Sequence, residues 1–503
     1  MLERYAGYGR NMCSSSSTAT SILSADEVML VTEPIMHRLV SEQYVTGLIA
    51  AFVADGKTSF KSFGTFSTGV APVTEAQSKL LTFEIGSISK PLTGMALASL
   101  VDSAHLQYST TLHDAIPEIK SEAQAASRTM LQLATHSSGL PRLPTDLVSR
   151  GPASDPYSKY TKNDVIANLN ILDDLKAPGT VYEYSNLGYG ALGLSLVSKS
   201  GKASYDQLMR ERVFDPLRME KTSTTLRLTT TGHDESLIPV QPWTFSGLEA
   251  CGALRSNSTD MMNLLKAMAD PSSCGSDMEK VINASLSPVI TEPHTMGLGW
   301  VVGLEGDQDM VWHNGSTAGY HSFIGVHRPS KRGVLLLSNT ANSIVSTVGS
   351  HLLSTLIGKP SSPSFHEFYS EEIPPELVSE FAGLYRYKNA HQFIVKTRGS
   401  HVFIKLPKQA DFVRAFPETP FKFHIRNTGA TIEFDGIHWE TRRPPHTLTY
   451  THGTSTFEAT RDGQEVRKFF FNAKRWFSPK RKTASSTPTP SEAEVKDTHT
   501  QSK

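Results

Sequence analysis

The sequence predicts an α+β protein in which an antiparallel sheet is flanked by helices, with an inserted all-helical subdomain and a small β-barrel domain after it. Two β-type runs near the N-terminus form a hairpin pattern and precede a long stretch of helical periodicity. Short apolar runs separated by turn residues return between residues 297 and 338, which is typical of an antiparallel meander. After residue 375, short strands recur at fairly regular spacing, as they do in barrels.

The first elements along the chain are a helix and a hairpin. Ser24 and Glu27 form a capping-box pattern, which predicts a helix that begins there. Val45–Ala54 is a β-type run, and the Asp-Gly pair at 55–56 favours a tight turn. The return strand is then expected at Thr58–Phe63.

The next helix carries the first candidate catalytic residues, Ser87 and Lys90. The apolar spacing from 92 to 101 predicts a buried helix, and Pro91 requires that this helix begin close to Ser87. Residues three positions apart share a helix face, so the Lys90 amine can reach the Ser87 hydroxyl. The free N–H groups at the helix start suit a developing oxyanion. The pattern therefore predicts an activated serine nucleophile. A helix-capping serine followed by a surface lysine would show the same two residues at the same spacing.

The remaining helices and strands are predicted from the spacing of apolar residues, which changes from helical to strand-like along the chain. Further helices are predicted at 161–175, 187–199, 205–213, 254–269 and 343–356. The meander strands are predicted at 297–303, 310–313, 320–327 and 333–338. The barrel strands are predicted at 383–387, 393–396, 401–406, 421–425, 431–434 and 457–460, and 466–471 is a candidate for the last of them.

These elements divide the chain into five segments. The expected segments are a disordered N-terminus at 1–23, a catalytic domain at 24–358, a Ser- and Pro-rich linker at 359–375, a small lipocalin-like β-barrel at 376–472 and a disordered tail at 473–503.

The composition of the chain argues against several classes of protein. The 503 residues carry a formal net charge of zero, so no basic excess is available to bind a nucleic-acid backbone. The three cysteines, Cys13, Cys251 and Cys274, are too few for a disulfide framework and show no metal-ligand spacing. No apolar run is long enough to span a membrane and no secretory signal is visible, which predicts a cytoplasmic protein. We expect no metal and no cofactor, and the oligomeric state is left open.

Two further motifs carry polar groups at element junctions. Tyr184 and Asn186 lie where an extended segment turns into a helix; a phenolate near an ammonium can act as a base, and an amide can position a carbonyl. His313, Gly315 and Ser316 lie at the end of a predicted strand, where a backbone N–H after a glycine is a natural oxyanion donor. Each motif alone also fits a structural role: a buried tyrosine with a capping asparagine, or a strand histidine.

Two other patterns are set aside. The Gly-rich run at 188–193 formally matches a dinucleotide fingerprint, but no parallel strand-helix-strand unit surrounds it. Close helix packing explains its small residues better. His136 is predicted to be a turn residue rather than a catalyst.

Taken together, the three motifs in this order and at these separations resemble the serine β-lactamase and penicillin-binding-protein family. The resemblance is greatest to the class C β-lactamase-related serine hydrolases, which include esterases and D-aminopeptidases. It covers about residues 30 to 356 and includes the runs THSSGLP and APGTVYEYSNLGYGALG. The implied fold is the β-lactamase/transpeptidase-like one, and the C-terminal part, which opens with FAGLYRYKN, looks like the small β domain often appended to such hydrolases.

The resemblance also implies roles for the motif residues. Ser87 would be the acylated nucleophile, and Lys90 and Tyr184 would share the proton transfers. Asn186 would position the substrate carbonyl, and the backbone N–H groups of Ser87 and Ser316 would form the oxyanion hole.

One position departs from the class C pattern. Class C β-lactamases carry lysine at the start of the third motif, where this chain has His313. A histidine near pH 7 is mostly neutral and offers no fixed charge to a substrate carboxylate.

The sequence therefore favours a serine hydrolase that acts through an acyl-enzyme on a small ester, amide or short peptide. A true β-lactamase or a D-amino acid carboxypeptidase or aminopeptidase is the nearest alternative. A non-catalytic binding or scaffold protein on the same fold is the alternative of another class.

Overall fold

In a computed structural model, the chain forms two compact units, residues 1–370 and 371–503. Several predictions fall outside the described residues: positions 1–22 of the disordered segment predicted at 1–23, the disordered tail predicted at 473–503, the candidate strand at 466–471 and most of the predicted linker. The structure describes residues 23–67, 73–179, 181–289, 294–359, 373–387, 391–407, 409, 412–425, 429–435 and 445–462.

The first unit is built on an antiparallel sheet, as predicted. Its strands are β1 (Gly47–Ala54), β2 (Lys57–Gly64), β3 (Thr82–Glu84), β4 (Arg255–Asn257), β5 (Thr295–Met296), β6 (Val301–Leu304), β7 (Asp307–Ser316), β8 (His321–His327) and β9 (Arg332–Ser338). Seven of them form one sheet in the order β2-β1-β9-β8-β7-β6-β5, and β3 pairs with β4 separately.

Strand β1 is an interior strand of the sheet, and both of its faces are covered. Its eight residues are all buried, and it pairs with β2 on one side and with β9 on the other. Leu48 and Phe52 pack into one apolar cluster, while Ile49 and Val53 pack into a second cluster on the opposite face. The alternation follows from the two-residue period of a strand. Strand β2 is polar and half-exposed, as suits an edge strand.

The helices cover the two faces of this sheet. They are α1 (Ala25–Ser41), α2 (Glu75–Ser78), α3 (Ser89–Asp102), α4 (Leu112–Ala115), α5 (Met130–Ala134), α6 (Leu147–Arg150), α7 (Lys162–Ile171), α8 (Asn186–Ser200), α9 (Tyr205–Met209), α10 (Ser258–Ala269), α11 (Ser276–Leu286) and α12 (Ile344–Leu356). Helices α1 and α12 pack on one face. Helix α3 packs on the other, and α4 to α9 form the predicted helical insertion between β3 and β4.

Several predicted boundaries were wrong in detail. The strand predicted at 297–303 is confined to β6, because Gly299 and Gly303 have positive φ and interrupt the ladder. The helix predicted at 205–213 is α9 followed by a short π-helix at Arg210–Phe214. The helix predicted from 254 begins only at Ser258, where the Asn257 side chain accepts the N–H of Asp260 and β4 occupies the preceding residues.

The second unit contains a closed eight-stranded antiparallel barrel, which confirms the predicted small β-barrel. A short helix α13 (Pro375–Glu380) precedes the strands β10 (Gly383–Tyr387), β11 (His391–Arg398), β12 (His401–Lys405), β13 (Val413–Pro417), β14 (Lys422–Ile425), β15 (Ala430–Asp435), β16 (Thr447–His452) and β17 (Ser455–Arg461). Pairing of β17 with β10 closes the barrel. Phe381 stacks on Phe434 at a centroid distance of 4.4 Å.

The barrel contains two strands that the sequence did not predict, β13 and β16. Neither has a continuous apolar pattern: β13 carries Arg414 and ends at Pro417, and β16 is rich in threonine. In neither unit does a helix of the described ranges combine the length and apolar character needed to cross a bilayer.

Candidate active site

Ser87 lies at the one accessible point of a buried segment. Strand β3 is followed by a 3₁₀ turn, Gly86–Ile88, and α3 begins at the next residue. Between Thr82 and Ala98, Ser87 alone is not fully buried. The predicted helix start near Ser87 is thus a 3₁₀ turn that continues into the α-helix, and Ser87 is only partly buried there.

Lys90 is a buried cation whose three N–H groups all have acceptors. Its Nζ lies 3.1 Å from Ser87 Oγ, 2.8 Å from Asn186 Oδ1 and 2.6 Å from the carbonyl oxygen of Cys251. The residue is fully buried, so an unpartnered ammonium there would cost a large desolvation free energy. The three contacts fix the amine beside the serine hydroxyl.

Tyr184 approaches the same hydroxyl from the helical insertion. Its Oη lies 2.7 Å from Ser87 Oγ, and Lys90 Nζ lies 4.6 Å from the centre of its ring. The next residue, Ser185, caps α8: its Oγ accepts the N–H of Gly188 at 2.8 Å and donates to the carbonyl of Pro141 at 2.7 Å. The cap fixes the backbone from which the Tyr184 side chain projects.

His136 packs under Tyr184. The two rings stack with centroids 4.4 Å apart, and His136 Nδ1 accepts the N–H of Ser185 at 3.0 Å. Its φ of 58° is the left-handed conformation of a turn residue, in agreement with the sequence prediction. Burial, followed by the charge of Lys90, lowers the pKa of His136 well below its usual value. His136 is therefore a neutral support for the tyrosine.

Asn186 connects the site to an aromatic wall. While its Oδ1 accepts from Lys90, its Nδ2 donates to Tyr157 Oη at 3.0 Å. Tyr157 stacks on Phe245 with centroids 4.7 Å apart and meets Trp243 edge-on at 5.4 Å. These rings form a half-buried apolar surface next to the polar cluster.

The third motif lies at the end of β7, beside the serine turn. A methyl group on Gly315 would lie 2.0 Å from the carbonyl oxygen of Ile85, so only glycine permits this approach. A methyl group on Gly86 would lie 2.7 Å from the backbone nitrogen of Ser316. The backbone of Ser316 thus adjoins the turn that carries Ser87.

His313 is a buried neutral group on this strand. It is 3% exposed, and burial, with a smaller contribution from the charge of Lys90, lowers its pKa to about 3. Its Nδ1 contacts the carbonyl oxygen of Asn314. His313 therefore carries no charge at neutral pH and is covered by the surrounding protein.

Three groups at the site had no signal in the sequence, and a fourth, His136, was predicted only as a turn residue and not as a support for Tyr184. His136 and Arg142 come from irregular loops, and Cys251 contributes only its carbonyl oxygen. Glu84, at the end of β3, is 4% exposed and lies 3.4 Å from the Arg255 guanidinium. Burial raises the pKa of Glu84 to about 7, against the smaller opposing effects of Thr317 and Arg255.

One set of possible metal ligands occurs among the described residues, at the opposite end of β7. The ligand atoms of Asp307, Asp309 and His327 lie within 4.8 Å of one another. The Lys359 ammonium already lies 2.9 Å from Asp307, and the group is remote from Ser316 along the strand. We assign it no role.

Known proteins have similar sequences over little more than half of this chain. "Protein flp" of Staphylococcus aureus (strain MW2) is 26% identical over 288 residues, which are 55% of this chain and 56% of that protein. A beta-lactamase of Yersinia enterocolitica is 27% identical over 301 residues, which are 56% of this chain and 71% of that protein. The chain thus spans little more than half the length of the staphylococcal relative.

Solved structures share the fold. A beta-lactamase/D-alanine carboxypeptidase from Pseudomonas syringae matches 67% of this chain and 99% of its own, with a TM-score of 0.56 and 17% identity. A mutant class C beta-lactamase matches 67% of this chain and 100% of its own, with a TM-score of 0.57 and 19% identity. The family model named Beta-lactamase matches residues 33–359. The chain therefore belongs to the beta-lactamase family of hydrolases.

Proposed function

We propose that this protein is a serine hydrolase that cleaves a small ester or amide through an acyl-enzyme on Ser87. The observation that carries the proposal is the double contact on one hydroxyl, from Lys90 Nζ at 3.1 Å and Tyr184 Oη at 2.7 Å. A serine hydroxyl is a weak nucleophile until a neighbouring base removes its proton. Here two proton-transfer groups already lie within hydrogen-bonding reach of it.

The proton transfers follow from this geometry. Ser87 Oγ attacks the carbonyl carbon, and its proton passes to the Tyr184 oxygen, which has to be unprotonated at this step and which the adjacent Lys90 ammonium would favour in that form. That proton is then given to the leaving alkoxide or amine as the C–O or C–N bond breaks, which leaves an ester on Ser87. Water attacks this ester, its proton passes to the same base, and Ser87 regains a proton as the acid leaves.

Two backbone groups are assigned to the developing oxyanion. They are the N–H groups of Ser87 and Ser316, and what supports this assignment is the close approach of the Ser316 backbone nitrogen to Gly86, the residue before Ser87. Each such donor typically lowers the barrier by about 3 kcal/mol. Asn186 Nδ2 is assigned to the substrate carbonyl, in exchange for its contact with Tyr157.

The third motif favours an ester or amide over a penicillin. In this proposal His313 forms a neutral wall, since it is buried and its pKa is lowered to about 3. A lysine there would present a fixed charge to the carboxylate of a β-lactam.

Labelling with a fluorophosphonate probe tests the nucleophile directly. We expect the wild-type protein to be labelled and the Ser87→Ala variant to be unlabelled. Ser99→Ala, a serine variant within α3, is the control and should label like the wild type. A folded wild-type protein that resists every acylating probe and every p-nitrophenyl ester would overturn the proposal.

Turnover of the chromogenic β-lactam nitrocefin tests the substrate preference. We expect little turnover by the wild-type protein, against measurable turnover of p-nitrophenyl esters or D-amino acid amides. Fast nitrocefin hydrolysis by the wild-type protein would instead favour the β-lactamase alternative.

The alternative is a non-catalytic binding or scaffold protein, because proteins that share a fold can have unrelated functions. It predicts that the wild-type protein labels no better than Ser87→Ala. Both measurements are made on one preparation. Labelling shows whether Ser87 is reactive, and size-exclusion chromatography shows whether the labelled or unlabelled protein is a monomer or an oligomer.

A further inference from the structure

We propose that Arg142 binds an anionic group of the substrate, so that the site prefers esters or amides that carry a carboxylate. The proposal rests on the proposed hydrolase function and specifies its substrate class.

The backbone of Arg142 is fixed next to Tyr184 by hydrogen bonds to the start of α8. Its carbonyl oxygen accepts the N–H of Asn186 at 2.8 Å and that of Leu187 at 3.4 Å, at the start of α8. Its guanidinium carbon lies 5.0 Å from the centre of the Tyr184 ring. The residue is exposed, so the guanidinium is open to solvent on the side away from the tyrosine.

No carboxylate neutralises this guanidinium within the part of the chain that the structure describes. A comparison with Arg150 shows the difference. Arg150 also lies over a tyrosine, at 5.6 Å from the ring centre of Tyr160, but it forms ion pairs with Asp146 at 2.5 Å and Asp164 at 2.6 Å. Arg142 makes the ring contact without the ion pairs, so its charge is available to a ligand.

The charges around the site add to a positive field. Lys90 and Arg142 are the cations next to Tyr184, and Glu183, the adjacent carboxylate, is paired with Lys176 at 2.6 Å. Burial lowers the pKa of His313 to about 3, so that residue adds no charge at neutral pH. An anionic substrate is attracted to such a site, and a neutral one is not.

Arg142 is also the better donor for a carboxylate. His313 is 3% exposed and uncharged, whereas a guanidinium offers two parallel N–H groups that match both carboxylate oxygens. The anion is therefore expected on the Tyr184 side of the site, not at the strand β7.

Two matched substrate pairs test the proposal. One pair is 4-acetoxybenzoate and its methyl ester, which differ in a carboxylate on the leaving group. The other is mono(4-nitrophenyl) adipate and its methyl ester, which differ in a carboxylate on the acyl group. We expect the wild-type kcat/KM to favour the anion in at least one pair, and this preference to weaken as salt is added.

The variants separate charge recognition from a structural effect. We expect Arg142→Gln to lose about 10- to 100-fold in kcat/KM on the preferred anion, mainly through KM, and less than about threefold on its methyl ester. Arg142→Lys should retain part of the preference, and Arg150→Gln, the matched control, should retain all of it. Equal losses on both members of a pair, or no anion preference in either pair, would overturn the proposal.

Binding to the Ser87→Ala protein makes this test independent of turnover. We expect benzoate to bind more tightly than benzamide in calorimetry, and Arg142→Gln, but not Arg150→Gln, to abolish the difference. If that result holds while the wild-type protein resists fluorophosphonate, the hydrolase proposal fails and the anion site stands. If Ser87 is labelled but neither hydrolysis nor binding prefers the anion, the Arg142 proposal fails alone.

Discussion

Tyr184 Oη lies 2.7 Å from Ser87 Oγ although 97 positions separate the two residues in sequence. The serine belongs to the turn before α3, and the tyrosine to the junction before α8. Their contact joins the sheet-bearing part of the unit to its helical insertion at one hydroxyl. The proposed chemistry depends on this contact and on the groups that maintain it.

Removing the Tyr184 hydroxyl should reduce catalysis while leaving the fold intact. We expect Tyr184→Phe to lower kcat on a p-nitrophenyl ester by about 10²- to 10⁴-fold, the usual contribution of a positioned acid or base. The ring still stacks on His136, so the thermal unfolding midpoint should change little. Tyr182→Phe is the control, because that ring also contacts His136 but makes no contact with Ser87. Equal kcat values for the two variants would contradict the assignment.

The glycine of the third motif should be needed for the approach of β7 to the serine turn. A methyl group on Gly315 would lie 2.0 Å from Ile85 O, so Gly315→Ala must displace the Ser316 N–H. We expect a loss of about 10²- to 10³-fold in kcat, as for the loss of one oxyanion donor. Asn314→Ala is the matched control: its side chain bonds Ser346 on the other face, so it should cost about 1 kcal/mol of stability and leave kcat unchanged. The reverse pattern would count against Ser316 as a donor.

Glu84 should make the stability of the first unit fall as pH rises. Burial raises its folded pKa from 4.5 to about 7, so between these values the folded state binds more protons than the unfolded state. The free energy of unfolding therefore decreases over this interval, by about 3 kcal/mol from this residue. Glutamine does not ionise, so the free energy of unfolding of Glu84→Gln lacks this pH dependence. Relative to the wild-type protein, the variant should therefore become more stable by that amount between pH 4.5 and pH 7. Urea unfolding at several pH values measures this difference. If the free energies of unfolding of the two proteins vary with pH in parallel between 4.5 and 7, the pKa of Glu84 is not raised by folding.

His136 should act by supporting Tyr184 and not by transferring protons. We expect His136→Asn, which tolerates the left-handed backbone, to lower kcat by about tenfold because the tyrosine loses its stacked ring. The lowered pKa keeps His136 neutral across the assay range, so the shape of the pH–rate profile should not change. Disappearance of one limb of the profile in the variant would identify His136 as a titrating catalyst instead.

The sequence could predict the parts of the site that local spacing controls. Ser87 and Lys90 are three positions apart at a helix start, and the structure places the amine 3.1 Å from the hydroxyl. No local rule brings Tyr184 or Ser316 to them, because their approach depends on the packing of separate elements. The family resemblance supplied those partners.

The residues that sequence analysis missed lie where no periodicity exists. Arg142 belongs to an irregular loop, and so does His136, whose turn was predicted but whose contact with Tyr184 was not. The conformation of these loops depends on tertiary hydrogen bonds such as Ser185 N–H to His136 Nδ1. The buried carboxyl of Glu84 runs against the rule that charges face solvent. In the barrel, β16 was missed because threonines replace the apolar residues that indicate a strand.

The position of β1 in the sheet affects how this protein folds during its synthesis on the ribosome. Ser338 Oγ, at the end of β9, donates to the carbonyl of Gly47 at 2.9 Å across 291 positions. A ribosome adding about 5 to 20 residues per second needs roughly 15 to 60 s to deliver that partner. Throughout this delay the apolar run GLIAAFVA lacks the strand β9 on one edge and is paired only with the polar hairpin strand β2. We therefore expect the nascent chain to need chaperone protection until β9 emerges, and polypeptides truncated before residue 332 to aggregate.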